Sequence, residues 1–132
     1  MRKCLSLLFL FLISNVFSQE NEYFIEANFD VNNRLVEIYQ TIDFTNTTSN
    51  SLNYIILNDW AHSYSNPKTP LGKRLSEDFT LNFQRSTKNQ RGFTNIIHIK
   101  SDSIILEHTR LKVNIDLVKV KLSNAFKPNH LK

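Results

Sequence analysis

Residues 23–44 have the sequence YFIEANFDVNNRLVEIYQTIDF, in which apolar and polar side chains alternate on either side of a polar turn. A period of two places successive side chains on opposite faces of a β-strand. Asn32 and Asn33 suit the turn, since asparagine tolerates left-handed backbone angles. We therefore predict an antiparallel hairpin of Tyr23–Asp30 with Arg34–Phe44. Its apolar face is formed by Tyr23, Ile25, Ala27, Phe29, Val36, Ile38, Ile42 and Phe44.

Further strands are predicted toward the C-terminus. Residues 52–58, LNYIILN, are apolar on both faces from Tyr54 to Leu57, which is typical of a strand in the centre of a sheet. Extended segments are then predicted at FTNIIHIKS (93–101), SIILEHTRL (103–111) and VNIDLVKVKL (113–122), the last with a change of phase near Val118. Turns or loops are predicted at TNTTSNS (45–51), KNQRG (88–92) and NAFKPNHLK (124–132).

One helix is predicted at about 70–85, after a tryptophan and a polar bend in the stretch NDWAHSYSNPKTPLGKRLSEDF (58–79). Pro67 disfavours helix before it. Thr69 is a suitable N-cap and Pro70 a suitable first helical residue. An apolar stripe recurs every four residues and requires a docking surface, for which we expect the sheet. This stripe consists of Leu71, Leu75, Phe79 and Phe83.

These patterns predict a mainly β fold: an antiparallel β-sandwich with one short helix. Only two glycines and ten phenylalanines occur in the 132 residues, which argues against disorder. The chain after its leader has the length of one small domain or part of one. The segment 124–132 ends just after a predicted turn, without a returning strand, and we interpret this as truncation of a β-domain.

The N-terminus has the pattern of a secretory signal peptide over residues 1–18. Arg2 and Lys3 precede a short apolar run, and Ser18 offers a cleavage site before Gln19. The alternative is a retained membrane anchor, but the run is shorter than the roughly 20 residues that a spanning helix needs. We therefore expect an exported protein, periplasmic or extracellular, with no membrane span after cleavage. Cys4 precedes the apolar run, so it is not a lipid-attachment site.

Charge and cysteine content exclude some function classes. Removal of residues 1–18 takes away two of the 16 basic residues and none of the 12 acidic ones, so the net charge falls from +4 to +2. No run of basic residues interleaved with aromatics is present, so nucleic-acid binding is not supported. Without Cys4 the exported form contains no cysteine, and its fold has to rest on packing alone.

Asp59 and His62 are the nearest approach to a reactive pair in this sequence. They could contribute to a metal or acid–base site, but zinc requires at least three protein ligands. The remaining histidines, His98, His108 and His130, lack ligand spacing. We expect Asp59 to cap a turn and His62 to be solvated. No H-E-x-x-H, nucleophile elbow or phosphate loop occurs. The sequence therefore predicts no catalytic, cofactor-binding or metal-binding residue in this chain.

Three other features have both a structural and a functional interpretation. Trp60 could be an exposed platform for a sugar or peptide, but we expect a core plug between strand and helix. The basic residues Lys68, Lys73 and Arg74 are interpreted as a solvated helix face. Asn46-Thr47-Thr48 matches the short acceptor pattern for N-glycosylation, which matters only in a eukaryotic secretory pathway.

The stretch from Leu57 to Phe79 resembles the amino-terminal β-domain of secreted zinc metallopeptidases of the aminopeptidase N type from Bacteroidetes-like bacteria. The resemblance rests on LNDWA (57–61), TPL (69–71), KR (73–74) and the acidic helix end at 77–79. QRGFTNI (90–96) and LSNAFKPN (122–129) are also similar to later parts of that domain. Residues 19–132 are thereby interpreted as a partial amino-terminal domain.

The resemblance implies a saddle-like β-scaffold that packs against a thermolysin-like catalytic domain of the same polypeptide. Zinc is expected only in that missing domain, where H-E-x-x-H and a distant glutamate bind it, so this chain is not expected to be active alone. The alternative is a freestanding secreted β-sandwich that binds a protein, peptide or glycan partner. The least favoured interpretation is an enzyme active as the bare chain.

Overall fold

A computed structural model of the chain describes residues 21–77 and 81–128, which form two compact units divided between Thr45 and Asn46. The predicted leader, Phe79 of the helical stripe, and His130 lie outside the described residues. The first unit contains strands β1 (Glu22–Asp30) and β2 (Leu35–Asp43). The second contains β3 (Leu52–Asn58), α1 (Pro70–Glu77), α2 (Asn82–Arg85), β4 (Lys100–Ser101), β5 (Ile104–Ile105), β6 (His108–Arg110) and β7 (Leu117–Phe126), with 3-10 helices at Trp60–Ser65 and Lys88–Gln90.

The mainly β, antiparallel class with short helices is confirmed. Every strand pair is antiparallel: β1 with β2, β4 with β5, and a three-stranded sheet in the order β3-β7-β6. None of the described helices is long and apolar enough to cross a bilayer.

The predicted hairpin is confirmed, with Ala27 opposite Ile38 near the middle of β1 and β2. Its turn differs from the prediction, because the left-handed residue is Arg34, with φ of 54°, and neither asparagine. Asn33 instead donates to the Asp30 carboxylate from its backbone N (3.0 Å) and its Nδ2 (2.7 Å). Asn33 is held by these two bonds, and the left-handed conformation falls on the next residue, Arg34.

The three-stranded sheet corrects the predicted position of β3. β3 lies at an edge of this sheet, and β7 is the central strand. Val118 and Val120 of β7 are fully buried, whereas Tyr54 and Ile56 of β3 remain about half exposed. A strand that is apolar on both faces need not be central, since an antiparallel sheet can cover one face and leave the other in water.

A small core fills the covered face of this sheet. It consists of Leu106, Val118 and Val120, with Ile55, Leu57, Ile96, Ile99 and Leu122 packed against it. On the open face Lys119 Nζ lies 4.2 Å from the centre of the Tyr54 ring, a cation–π contact. Val118, Val120 and Leu122 are close together in β7, whereas the other core residues come from segments that are distant in the sequence.

Both predicted boundaries of β7 are wrong. Residues 113–116 form a turn, in which Leu117 N donates to Asn114 O at 2.9 Å, so the change of phase near Val118 marks the start of the strand. At the other end, Asn124–Phe126 was predicted as loop, yet β7 continues to a buried Phe126. Residues 93–99 lack strand pairing, and the predicted extended segment pairs only at β4.

The helical part begins as predicted and then differs. Thr69 caps α1, because its Oγ1 accepts a hydrogen bond from Gly72 N at 3.0 Å and donates to Ser63 O at 2.8 Å. The predicted single helix is two helices, α1 and α2. The predicted bend contains the 3-10 helix Trp60–Ser65, since the proline constraint acts on Asn66, which is extended.

The docking surface of α1 is also different from the prediction. Its main contacts are with the Trp60–Ser65 3-10 helix and with α2, not with the sheet. Gly72 is buried here, and a Cβ at this position would overlap the backbone of Pro67. Gln84 Nε2 donates to the Gly72 carbonyl from α2. Glycine, a poor helix former, is needed because two backbones approach closely.

Candidate functional site

Asp59 and His62 lie with Thr94 and Arg110 in one polar cluster, the Asp59 cluster. Asp59 directly follows β3, and its backbone N donates to Asp116 O at 2.6 Å. His62 lies in the first 3-10 helix, Thr94 in the unpaired extended segment, and Arg110 at the end of β6. The cluster joins four parts of the second unit.

The centre of the Asp59 cluster is an ion pair. Arg110 Nη2 lies 2.5 Å from Asp59 Oδ2, and both side chains are largely buried, at 24% and 16% exposure. The Thr94 hydroxyl also donates to Oδ2, and it accepts from Arg110 Nη2 at 2.9 Å. Arg110 Nη1 donates to Ile115 O at 3.0 Å. The arginine thus fixes the carboxylate, the threonine and the turn before β7.

His62 is held against the backbone of Thr94. Its Nδ1 lies 3.0 Å from Thr94 O and 3.3 Å from Thr94 N. The ring is half buried, so the prediction of a solvated histidine is wrong. The expected turn cap is supported on the backbone side, since His62 N donates to Asp59 O at 3.0 Å.

The electrostatics of the cluster favour an ionised Asp59. Burial acts to raise the pKa of its carboxyl, but hydrogen bonds from Thr94 and Arg110, and the positive charge of Arg110, outweigh burial. The pKa is therefore lowered from 3.8. An ionised carboxylate with a hydrogen-bonded arginine is a poor general acid, and its Oδ2 is already committed to two donors.

Metal binding would require a third protein ligand and release of Asp59 from Arg110. Within residues 21–77 and 81–128, no three His, Cys, Asp or Glu side chains lie close enough to hold an ion. His98 is exposed and His108 half buried, and the structure does not bring either of them into the Asp59 cluster. The hydrogen bonds of the Asp59 cluster hold four segments together.

Thr94 and Arg110 are partners of Asp59 that the sequence does not predict. They lie 35 and 51 positions from Asp59. No local spacing rule links residues so far apart, and Arg110 lies in a segment that reads as an ordinary polar strand. Only the pairing of β6 with β7 brings its side chain to the end of β3.

Trp60 does not occupy the predicted core position, since 54% of it is exposed. The contact between the 3-10 helix and α2 is made instead by Tyr64 and Phe83, whose rings meet edge to face at 6.0 Å. Trp60 is the first residue of its 3-10 helix and Tyr64 the fifth, so they project in different directions. The predicted solvated face of Lys68, Lys73 and Arg74 is confirmed.

Asn46 is fully buried, and its amide is saturated with hydrogen bonds. Nδ2 donates to Asn50 O and to Phe126 O, both at 2.9 Å. Oδ1 accepts from Thr48 N at 3.0 Å and from Thr48 Oγ1 at 2.7 Å. The Asn46 side chain therefore has a structural role in the folded chain.

No family model, curated protein or solved structure matches this chain. The resemblance to aminopeptidase N-type proteins stays a prediction.

Proposed function

We propose that the chain is a non-catalytic scaffold segment of an exported zinc aminopeptidase-like metallopeptidase, which packs against a catalytic domain encoded further along the same polypeptide. The observation that carries the scaffold role is the Asp59 cluster. Its acidic and imidazole groups are those best suited to chemistry, and they are engaged in joining β3, the 3-10 helix, residue 94 and β6.

The open side of the three-stranded sheet supports the need for a neighbour. In the described part of the chain β3 pairs with β7 alone, so its outer edge presents unpaired backbone groups. Tyr54, Ile56 and Trp60 expose between 44% and 54% of their surface along this strand and just after it. Unpaired edges with apolar side chains are usually covered in complete β-proteins.

The coding sequence downstream of Lys132 tests this proposal directly. We expect the reading frame to continue into a further strand and later to encode H-E-x-x-H. A stop codon in intact, undisturbed genomic sequence would contradict it.

A second candidate is a secreted binding module, and the exposure of Trp60 favours it. Trp60 is the single tryptophan, so its fluorescence reports binding at this position without interference. Titration with oligosaccharides and peptides should shift the emission if Trp60 is a platform, and Trp60→Phe should abolish binding without unfolding the chain. Unchanged emission at millimolar ligand removes this candidate.

A further inference from the structure

The hairpin of β1 and β2 has two chemically different faces. One face carries no charged residue, and Gln40 is its single strongly polar side chain. All five carboxylates of the two strands lie on the opposite face, at Glu22, Glu26, Asp30, Glu37 and Asp43. We call the uncharged side the apolar face; it is formed by Tyr23, Ile25, Ala27, Phe29, Val36, Ile38, Gln40 and Ile42.

The apolar face is exposed to an extent that isolated hairpins rarely tolerate. Phe29 is 74% exposed, Tyr23 and Ile38 are each 59% exposed, and Ile25 is 58% exposed. A two-stranded hairpin is marginally stable in water, and it gains stability when its apolar face is covered. The covering surface has to be apolar and about as long as nine paired residues.

We propose that the apolar face docks on the same face of a second copy of this chain, giving a two-layer, four-stranded dimer. This inference goes beyond the proposed function and does not rest on it. Stacking apolar face on apolar face leaves all carboxylates of both hairpins pointing outward. No other orientation of two identical hairpins buries the uncharged side of each while keeping every charge in water.

The area of the apolar face fits a weak dimer. A covered aromatic side chain buries about 150–250 Å². The exposed fractions of the large apolar side chains then give about 500 Å² of surface that each copy can bury, contributed by Tyr23, Phe29, Ile25, Val36 and Ile38. Two copies together bury about 1,000 Å², the lower limit for a specific interface. We therefore expect a reversible dimer with a dissociation constant in the micromolar range.

Charge distinguishes this dimer from other associations of the chain. Each hairpin has five carboxylates and one arginine, Arg34, which leaves a net charge of −4. Stacked sheets lie about 10 Å apart, so the two acidic faces are separated by more than the Debye length of about 8 Å at 0.15 M salt. At 0.01 M salt the Debye length is about 30 Å, and repulsion should weaken the dimer.

Sedimentation equilibrium of the purified protein tests the proposal, with variants matched in charge. Ile38→Glu places a carboxylate on the apolar face, and Tyr39→Glu places one on the acidic face of the same strand. We expect Ile38→Glu to weaken the dimer at least tenfold and Tyr39→Glu to change it less than threefold. A monomer at all concentrations up to 100 µM, or equal effects of the two variants, would overturn the proposal.

A cross-linking experiment keeps the test valid if Ile38→Glu fails to fold. In a Cys4→Ser background, Ala27→Cys and Asn28→Cys place a thiol on the apolar and the acidic face. A bismaleimide that spans about 10 Å, the spacing of stacked sheets, should capture a dimer of the first variant and none of the second.

The dependence of association on salt concentration shows whether a different partner binds the hairpin. Association that grows stronger at 0.01 M salt would indicate that the acidic hairpin seats on a basic surface, and would overturn the face-to-face dimer. A monomer also leaves the proposed scaffold role intact, because that role is decided by the downstream coding sequence.

Discussion

The side chain of Asn46 and the backbone carbonyl of Phe126, 80 positions apart, are joined by a buried hydrogen bond of 2.9 Å. It ties the loop before β3 to the last residue of β7. The same amide also bonds Asn50 and Thr48, so one residue holds together the end of the strand pair at which β3 begins and β7 finishes. A buried polar side chain whose hydrogen bonds are all satisfied makes the surrounding structure rigid and favours a single arrangement of it.

Replacing Asn46 by alanine should destabilise the fold by about 3 kcal/mol, because the buried amide's hydrogen bonds to Phe126 O, Asn50 O and Thr48 are all lost. Urea unfolding followed by far-UV circular dichroism measures this. Thr47→Ala, in the exposed neighbouring position, is the matched control and should change stability by less than about 0.5 kcal/mol. Equal effects of both substitutions would show that Asn46 is not a structural pin.

Asn46→Asp should make the stability of the chain depend on pH. The new carboxyl would face two carbonyl oxygens in a buried site, so its ionised form is disfavoured and its folded pKa is raised. The loss of stability caused by the buried carboxylate is then complete above that pKa, and it becomes smaller as the pH falls through that pKa. The unfolding midpoint of Asn46→Asp should lie closer to that of the wild type at pH 5 than at pH 7. An equal difference at both pH values would contradict this.

Gly72→Ala should destabilise the chain although alanine is the better helix former. The gain in helix propensity is about 1 kcal/mol, but a Cβ at this position overlaps the carbonyl group of Pro67, which is backbone and cannot rotate away as a flexible side chain could. We expect a net loss of about 1–3 kcal/mol. Gly92→Ala is the control, since a Cβ there meets nothing within 4 Å. Stabilisation by Gly72→Ala would refute the close approach.

The features that local sequence predicts correctly are those that local physics decides. The β1–β2 hairpin follows from alternation over residues 23–44, and the start of α1 follows from Thr69 and Pro70. Each of these signals is complete within a few residues, so tertiary contacts need not be known.

The features that were mispredicted depend on distant partners. The apolar run of β3 did not distinguish an edge from a central strand, because that choice depends on what covers each face. Trp60 and Tyr64 are both aromatic, and only the position of Phe83 decides which of them packs. The bonds Asp59–Arg110 and Asn46–Phe126 span 51 and 80 positions, beyond any local pattern.

Arg34→Gly should stabilise the hairpin. Arg34 has φ of 54°, where a side chain costs about 1–2 kcal/mol, and glycine removes this cost. Hydrogen exchange of the β1 and β2 amides should slow about fivefold, the equivalent of 1 kcal/mol. Asn33→Gly is the control: it removes the side-chain bond to Asp30 at a residue outside the left-handed region, so exchange should accelerate. Faster hydrogen exchange in Arg34→Gly would show that the backbone of Arg34 is not strained in the wild type.

Asp59 contributes stability that depends on pH, and the sign follows from its lowered pKa. Burial of the carboxyl opposes ionisation, but bonds from Thr94 and Arg110 favour it more strongly. The folded state therefore releases this proton more readily than the unfolded state, in which the carboxyl has its ordinary pKa of 3.8. The stabilisation is fully present well above that value, and it is lost as the pH falls through the lower folded pKa.

Asp59→Asn should accordingly cost most at neutral pH, roughly 1–3 kcal/mol, because Arg110 loses its carboxylate partner in a largely buried position. The difference from wild type should narrow below pH 4, as the wild-type carboxyl becomes protonated. Glu37→Gln, on the exposed β2, removes the same charge and controls for net charge. Asp30, whose pKa is also lowered by bonds from Asn33, acts equally in every variant and cancels. A difference between Asp59→Asn and wild type that is independent of pH would show that the Asp59–Arg110 ion pair does not stabilise the fold.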